Sequence, residues 1–395
     1  MKEFFESLVK AVDELKNFKI KEALIIHHDE ADGLCSASII KKALERFSFK
    51  TETLCLDKLF PSVIKTVQNK EGKVIFYADI GSFHVEKISQ FNELKNLTII
   101  LDHHDTKPIS NSSVYNLNPE LFGLSGEKNA SASSAAYFFA KTLNKENMDL
   151  AHLAVIGSVE IPGEPTGLNK IALEDALKKD LVKLSGKEIK VLGLGEPISS
   201  KRASTLLSIL GSVGYYQNGP EIGISVCLNG FSEESKRKAL ELEEKRKKAN
   251  EKMLTELKYK GLNQLRSTQW FYAGDIFDGM GGKVIGSFCS YLSFQRIVNP
   301  EKYLLGMMPI PKEIPNFGLL NEDYIKVSGR APRKLAESIN FEKKPSLSKV
   351  LPKICELFNG FGDGHSIAAS GVFLKGKEKE FAVKFDLEIK KEEKN

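Results

Sequence analysis

The sequence predicts an α/β protein whose N-terminal part is a doubly wound parallel sheet, joined by a long helix to a smaller α/β domain. Three short apolar runs, at 23–26, 74–78 and 97–101, have the length of buried strands and alternate with segments of helical periodicity. Such alternation is typical of a parallel sheet covered by helices. A highly charged segment at 232–258, with a thin apolar stripe, predicts the connecting helix.

The chain length predicts two domains, because 395 residues exceed what one hydrophobic core usually holds. We expect residues 1–195 to form the first domain, 196–263 the connecting helical segment and 264–395 the second domain. The glycine-rich residues 192–195 mark the first boundary. Further helices are predicted at 4–15, 34–47, 131–143 and 150–159, and further strands at 270–273, 303–306, 324–328 and 381–387.

The composition excludes several classes of protein. Hydrophobic residues make up 42% of the chain and charged residues 28%, which excludes a disordered or fibrous protein. No apolar run approaches the roughly 18 residues of a membrane span, so we expect no membrane partner. The five cysteines are scattered without a CxxC pair, which argues against a disulfide framework and favours a cytoplasmic location. The net charge of +5 permits a nucleic-acid partner without requiring one.

Histidines and acids follow each of the three apolar runs. Residues 27–33 follow the first run, Asp79 the second and residues 102–105 the third. Ligands of parallel sheets bind at the carboxyl ends of the strands, and mixed imidazole and carboxylate ligands suit Mn²⁺, Fe²⁺ or Zn²⁺. A single strand-end Asp is often a helix cap, but burying so many ionisable groups without a metal would be costly. The pattern therefore predicts a metal site, in which carboxylates can bridge two ions.

A second group of candidate residues lies near the C-terminus. The glycine-rich stretch 359–371 allows close approach of the backbone to an anion, and His365 would add a hydrogen-bond donor. The alternative is a glycine-rich turn that leads into a helix. Arg330 follows a predicted strand, and its planar guanidinium matches a phosphate. Taken without the neighbouring motif, it would be interpreted as a surface residue.

Taken in order, these motifs resemble the DHH phosphoesterase family with its DHH-associated C-terminal domain, particularly the archaeal RecJ-like branch. Asp102-His103-His104 resembles the motif that names the family. The other similar stretches are His28-Asp29-Glu30-Ala31-Asp32-Gly33 (usually H-x-D-x-D-G), Tyr77-Ala78-Asp79-Ile80-Gly81, Asn118-Pro119-Glu120-Leu121-Phe122-Gly123, Ser328-Gly329-Arg330 and Gly362-Asp363-Gly364-His365-Ser366-Ile367-Ala368-Ala369 (usually GGGH-x-x-AA).

The resemblance implies a phosphodiesterase that depends on Mn²⁺, with Mg²⁺ as the alternative, and that hydrolyses ends of single-stranded DNA or RNA with a metal-activated water. The catalytic residues would be Asp102, His103 and His104. The metal ligands would come from His28, Glu30, Asp32, Asp79, Asp102, His104 and Glu160. The substrate would contact Ser328, Arg330, Gly362, Gly364 and His365.

Two motifs depart from the family pattern. Glu30 stands where the first motif usually has its middle Asp, and a shift by one residue that uses Asp29 instead remains open. The fourth motif usually supplies an Asp, for which Glu160 is the nearest substitute in Val155-Ile156-Gly157-Ser158-Val159-Glu160-Ile161-Pro162. If Ile161 occupies the Asp position, one metal would be weakly held.

These departures keep two other functions open. Some relatives, such as cell division control protein 45, have lost nuclease activity and act as scaffolds with GINS and MCM in the replicative helicase complex. The chain would then be a partner of GINS with reduced or no activity. The third interpretation is a phosphodiesterase of very short oligonucleotides, which the family also contains.

Overall fold

A five-stranded parallel sheet organises the first part of the computed structural model, which describes residues 1–70, 72–93 and 95–393. The strands are β1 (Glu22–His27), β2 (Lys50–Cys55), β3 (Val74–Ala78), β4 (Thr98–Leu101) and β5 (Val114–Asn116), in the order β2-β1-β3-β4-β5. The predicted parallel sheet is confirmed. Every residue of β3 and β4 is buried, as expected for central strands covered on both faces.

Nine helices and a small antiparallel sheet accompany these strands in the described residues. The helices are α1 (Lys2–Asn17), α2 (Ala31–Arg46), α3 (Pro61–Gln68), α4 (Val85–Phe91), α5 (Ala132–Leu143), α6 (Ala151–Gly157), α7 (Gly167–Lys178), α8 (Ser200–Ser208) and α9 (Gly219–Asn229), and the small sheet contains β6 (Val182–Ser185), β7 (Glu188–Val191) and β8 (Ile198–Ser199). Helix α2 is central: its residues 31–40 are all buried, and it contacts α5, α6, α8 and α9. Its small residues Gly33, Ser36 and Ala37 allow these close contacts.

The chain divides into two compact units, Met1–Leu240 and Glu241–Asn395. Because α8 and α9 contact α2, residues 200–229 pack on the first unit and do not form a separate connecting segment. The predicted long helix is α10 (Glu233–Lys260), and the division falls inside it. The contacts thus place the boundary later in the chain than the glycine-rich residues 192–195.

The second unit is built on a mixed six-stranded sheet. Its strands are β9 (Asn263–Gln264), β10 (Thr268–Tyr272), β11 (Tyr303–Ile310), β14 (Tyr324–Arg330), β15 (Phe361–Gly364) and β16 (Ala368–Leu374), in the order β15-β16-β14-β11-β10-β9, and β12 (Glu313–Ile314) pairs with β13 (Gly318–Leu319). Only β10 and β11 run parallel within the six-stranded sheet. The helices of this unit are α11 (Lys283–Leu292), α12 (Arg333–Asn340), α13 (Leu347–Leu357) and α14 (Glu378–Glu392).

The predicted strand at 381–387 is wrong, because these residues lie in α14. Phe381, Phe385 and Ile389 recur every four residues and are fully buried, whereas Val383 and Leu387 are 38% and 54% exposed. The same sequence alternates apolar and polar residues, so it fits a strand and a helix equally well from periodicity alone. These residues form a helix because its buried face packs against α13.

The glycine-rich stretch 359–371 forms a hairpin and does not lead into a helix. Strand β15 pairs with β16 in antiparallel register, and the turn between them begins at Gly364, whose φ of 143° favours glycine. Of the helices in the described part of the chain, none is both long and apolar enough to cross a membrane.

We expect the α14 assignment to be visible in a pair of matched substitutions. Ile389→Ala should lower the free energy of unfolding by about 2–5 kcal/mol, because it empties a fully buried position. Leu387→Ala should change it by less than about 1 kcal/mol, because that side chain is 54% exposed. Urea unfolding of the two variants measures the difference. Equal losses would contradict the helix, since a strand would bury both side chains on one face.

Candidate metal centre

The site lies where the strand order of the parallel sheet reverses. In the order β2-β1-β3-β4-β5, β1 and β3 are neighbours. The chain passes from β1 to β2 on one side of this pair and from β3 to β4 on the other side. Such a switch point opens a crevice at the carboxyl ends of the strands. His27 pairs with Ala78, and Ala78 pairs with Leu101. The next residues, His28, Asp79 and Asp102, therefore emerge level with one another.

Asp79 is at the centre of the site. It is 3% exposed, and its φ of 60° lies in the left-handed region, which few residues other than glycine adopt. Its Oδ1 lies 3.5 Å from His103 Nε2, and its Oδ2 lies 3.7 Å from His28 Nδ1. Burial and the nearby charge of Asp32 raise the pKa of Asp79 to about 6. This carboxylate faces one histidine with each of its oxygens.

His103 presents one ring nitrogen to the acids. Its Nδ1 lies 2.8 Å from the carbonyl oxygen of Gly126, to which it donates. The Nε2 atom then faces Asp79 and also lies 3.8 Å from Asp32 Oδ2. Burial lowers the pKa of His103, but the contact with Asp79 and the charge of Asp32 outweigh it and raise that pKa to about 10. A carbonyl that accepts a hydrogen bond from the other ring nitrogen commonly orients a metal-binding imidazole.

Asp32 is held in place by the start of α5. Its Oδ2 accepts the N–H of Ala132 at 2.9 Å, and its Oδ1 accepts the N–H of Ser133 at 2.8 Å. A Cβ atom on Gly157 would lie 2.4 Å from Asp32 Oδ1, so only glycine fits there. The carboxylate is thus fixed beside His103 by the backbone of two helices.

Asp102 positions the two histidines that follow it. Its Oδ2 accepts the N–H of Ser82 at 2.9 Å, and its Oδ1 accepts the His103 N–H at 2.8 Å and the His104 Nδ1–H at 2.7 Å. Burial would raise the pKa of Asp102, but the charge of His104 and its hydrogen bond lower that pKa below the usual range. Burial lowers the pKa of His104, and the charge of Asp102 raises it above the usual value. With both oxygens engaged, Asp102 orients His104 and favours its protonated form.

The potential ligand atoms form two groups, in each of which all atoms lie within 4.8 Å of one another. One contains Asp79, His103 and His104, and the other contains His28, Asp29 and Asp57. Sequence reasoning missed Asp57. Asp57 follows the end of β2, as the other acids follow their strands. Only one of the six residues of β2 is buried, so the sequence shows no apolar run from which that strand could be predicted.

Glu30 and Glu160 contribute no atom to either of these groups in the described residues. Glu30 precedes α2 as its N-cap residue in extended backbone, with a φ of −95°. Glu160 is exposed at the end of a short 3-10 turn, Ser158–Glu160. Of the predicted ligands, His28, Asp79 and His104 lie in these groups. Asp32 and Asp102 lie outside them but next to them, Asp32 at 3.8 Å from His103 Nε2 and Asp102 at 2.7 Å from His104 Nδ1.

The donor set fits Mn²⁺ or a similar divalent cation. Imidazole and carboxylate ligands suit such ions. The group of His28, Asp29 and Asp57 is buried, and in the other group Asp79 is buried while the two histidines are partly exposed. Asp79 Oδ1 is buried and accepts no hydrogen bond from a described residue. A cation near it would satisfy that oxygen and would take the place of the proton on His103 Nε2.

The predicted substrate residues meet at one end of the second unit's sheet. Arg330 pairs with Ala368 across β14 and β16, and Gly364 pairs with Ala369. The His365 N–H donates to the carbonyl of Ala368 at 2.7 Å, and Gly362 lies in β15 beside them. Arg330 Nε donates to Ser290 Oγ at 2.8 Å, and its Nη1 donates to Ser328 Oγ at 2.9 Å. The guanidinium is therefore fixed by α11 and by its own strand.

We expect the metal-free protein to lose stability as the pH rises through the titration of His103. The folded-state pKa of about 10 exceeds the usual 6.5, so the stabilisation is full below pH 6.5 and disappears as the pH approaches 10. His103→Gln should remove on the order of 1 kcal/mol or more of this pH dependence. Urea unfolding in EDTA at pH 6.5 and pH 9.5 measures it. His152→Gln is the control, because burial lowers the pKa of His152 to about 4 and it is neutral throughout that range. Equal slopes for wild type and His103→Gln would contradict the arrangement.

Comparison with known proteins is consistent with this geometry. Residues 22–158 match the model of the DHH family, N-terminal domain. An uncharacterized protein of Methanocaldococcus jannaschii is 32% identical over 188 residues, which cover 45% of this chain and 42% of that protein. The match thus spans less than half the length of this curated relative.

Two solved structures share the fold. RecJ of Thermus thermophilus, solved with Mn²⁺, has a TM-score of 0.66 at 14% identity, with 98% of this chain and 55% of that chain covered. CDC45 of Entamoeba histolytica has a TM-score of 0.52 at 11% identity, with 98% of each chain covered. Residues 22–158 therefore match the DHH family, N-terminal domain, and the chain shares its fold with these RecJ and CDC45 structures.

Proposed function

We propose that the protein is a metal-dependent phosphodiesterase that hydrolyses single-stranded nucleic acid from its ends. The observation that carries the proposal is the position of Asp79, which faces His103 with one carboxylate oxygen and His28 with the other. A carboxylate between two groups of imidazole and carboxylate ligands is the arrangement that two-metal phosphodiester hydrolysis requires. The similarity to RecJ, which was solved with Mn²⁺, supports this reaction class.

A bound divalent cation would lower the pKa of the attacking water and neutralise charge on the phosphate oxygens. Asp79, His28 and His103 would hold such ions, and Asp32 would add its negative charge beside His103. The backbone donors at the start of α5 keep Asp32 in position, so the site needs little rearrangement when it fills.

His104 is the proton donor in this proposal. Its Nδ1 is bound to Asp102, and its side chain is 44% exposed, so its Nε2 is accessible to a substrate. Burial lowers the pKa of His104, but the charge of Asp102 raises it above its usual value, which favours the protonated ring. The Nε2 proton would pass to the leaving oxygen as the phosphodiester bond breaks.

The second unit would bind the phosphates of the substrate. Arg330 is already oriented by Ser290 and Ser328, so its guanidinium loses little freedom when it meets an anion. The hairpin of β15 and β16 places His365 near the same end of the sheet. This assignment favours a polyanionic substrate over a neutral one.

The second candidate is a scaffold that retains the fold without hydrolysis. It is favoured by Glu160, which is exposed and outside both ligand groups, and by the similarity to CDC45. The partner would then be a replication protein such as GINS. The two candidates differ in whether a metal-loaded protein cleaves nucleic acid.

We expect Mn²⁺-dependent release of mononucleotides from end-labelled single-stranded DNA or RNA, and none with Asp79→Asn. His104→Gln should lower kcat about 10²–10⁴-fold, the usual range for a lost general acid, without changing the amount of Mn²⁺ bound. A dinucleotide substrate tests the short-oligonucleotide alternative in the same assay. Intact substrates with a Mn²⁺-loaded wild type would contradict the enzyme, and binding to purified GINS would then test the scaffold.

Asp102→Asn should move the pH profile in a defined direction. The general acid must be protonated, so activity falls as the pH rises above the pKa of His104. Because Asp102 raises that pKa, its neutral replacement should shift the alkaline limb of kcat to lower pH. An unchanged alkaline limb at reduced kcat would mean that His104 is not the proton donor.

Arg330→Gln should weaken substrate binding without affecting the metal. Loss of a charge-assisted contact to phosphate costs about 1.5–3 kcal/mol, which corresponds to a rise in KM of about 10–150-fold. Arg333→Gln is the control, because Arg333 is largely exposed at the start of α12 and pairs with Glu337. A KM that changes equally in both variants would indicate a general charge effect.

A further inference from the structure

We propose that Asp57 completes a second cation site with His28 and Asp29, in place of the glutamate at position 30 of the first motif. The site would take Mn²⁺ or a similar divalent cation. The inference rests on the metal-dependent function proposed above, but it concerns which residues hold the ion and is tested by binding alone.

The first argument is distance. One ligand atom from each of His28, Asp29 and Asp57 lies within 4.8 Å of the others. Two ligand atoms bound to one ion at about 2.1 Å lie at most about 4.2 Å apart. Side-chain shifts of a few tenths of an ångström would therefore bring these atoms within bonding distance of a single ion. The closest approach of His28 Nε2 to Asp29 Oδ1 is 3.5 Å, longer than a charge-assisted hydrogen bond and close to the spacing of two ligands on one ion.

The second argument is that the loop after β2 is fixed. The Leu56 N–H donates to the carbonyl of His27 at 2.8 Å, which continues the ladder between β1 and β2 beyond the last strand residue. The Tyr215 hydroxyl donates to the carbonyl of Cys55 at 2.9 Å. Asp57 follows these two anchored residues, so its position beside His28 is set by the sheet and does not depend on a mobile loop.

The third argument is electrostatic. Asp29 is fully buried and Asp57 is 8% exposed, so two carboxylates share a site with little water. Like charges at such a distance repel, and desolvation adds to the cost unless a cation compensates it. His28 supplies at most one positive charge, and it also faces Asp79 at 3.7 Å. A divalent ion held by the three side chains would offset the repulsion between the two buried carboxylates.

The competing ligand is Glu30. It is the residue before α2, in extended backbone, and it contributes no ligand atom to the group that contains Asp29 in the described residues. Asp29 comes one residue earlier and lies against the π-helical turn Ile209–Val213: a Cβ on Gly211 would be 1.9 Å from the Asp29 carbonyl oxygen. This close packing leaves no room for a shift that would exchange the two acids.

The test counts Mn²⁺ ions per chain by isothermal titration calorimetry and equilibrium dialysis. We expect about two ions for the wild type and about one for Asp57→Asn. Glu30→Gln should keep about two, and it is the matched control because it removes an adjacent acid of the first motif. Loss of an ion in Glu30→Gln with full occupancy in Asp57→Asn would overturn the proposal, as would a wild type that binds one ion or none.

A second variant guards against misfolding of Asp57→Asn. Asp57→Cys titrated with Cd²⁺ should gain the ultraviolet charge-transfer absorption of a cadmium thiolate, relative to the wild type with its native cysteines. Glu30→Cys should not gain it, and the reverse result would overturn the proposal. If the wild type binds two ions through Asp57 but cleaves no nucleic acid, the proposed function fails while this site stands.

Discussion

The parallel pairing of β1 with β2 and β3 is the constraint on which the site depends. Because His27, Cys55 and Ala78 lie level across the three strands, the residues that follow them must share one small volume at the sheet edge. Parallel strands all end on the same side, and the reversal of strand order leaves a crevice there. The apolar residues of β1, β3 and β4 do not take part in the site themselves. Their burial fixes the strand register, and that register brings the histidines and carboxylates together.

The same register places several buried carboxylates close to one another. Four aspartates of the site are each at most 3% exposed, namely Asp29, Asp32, Asp79 and Asp102. Two of them are stabilised by hydrogen bonds from nearby donors. Asp32 is capped by the start of α5, and Asp102 by Ser82 and the following histidines. Asp29 and Asp79 face histidines at 3.5–3.7 Å. Burial of charge is costly, and a divalent cation held by these side chains, as proposed above, would offset part of that cost.

Much of this arrangement could be predicted from the sequence, because buried strands appear there as apolar runs and the strand ends as polar residues that follow them. That signal found β1, β3, β4 and the acids after them. It failed for β2, an edge strand whose mixed residues hide the end that carries Asp57. It also failed for α14, where alternation at 381–387 fits two structures and only packing against α13 distinguishes them. The choice between Asp29 and Glu30 depends on a single turn of backbone at the start of α2, which no residue pattern encodes.

Anomalous diffraction from crystals soaked in Mn²⁺ would test the central claim most directly, because it locates the ions without reference to activity. We expect two anomalous peaks on either side of Asp79, one in contact with His103 Nε2 and the other in contact with His28 and Asp57. Such a map would also give the coordination of each ion. Peaks at Glu30 or Glu160 in place of these, or no peak at the ends of β1 and β3, would contradict the account.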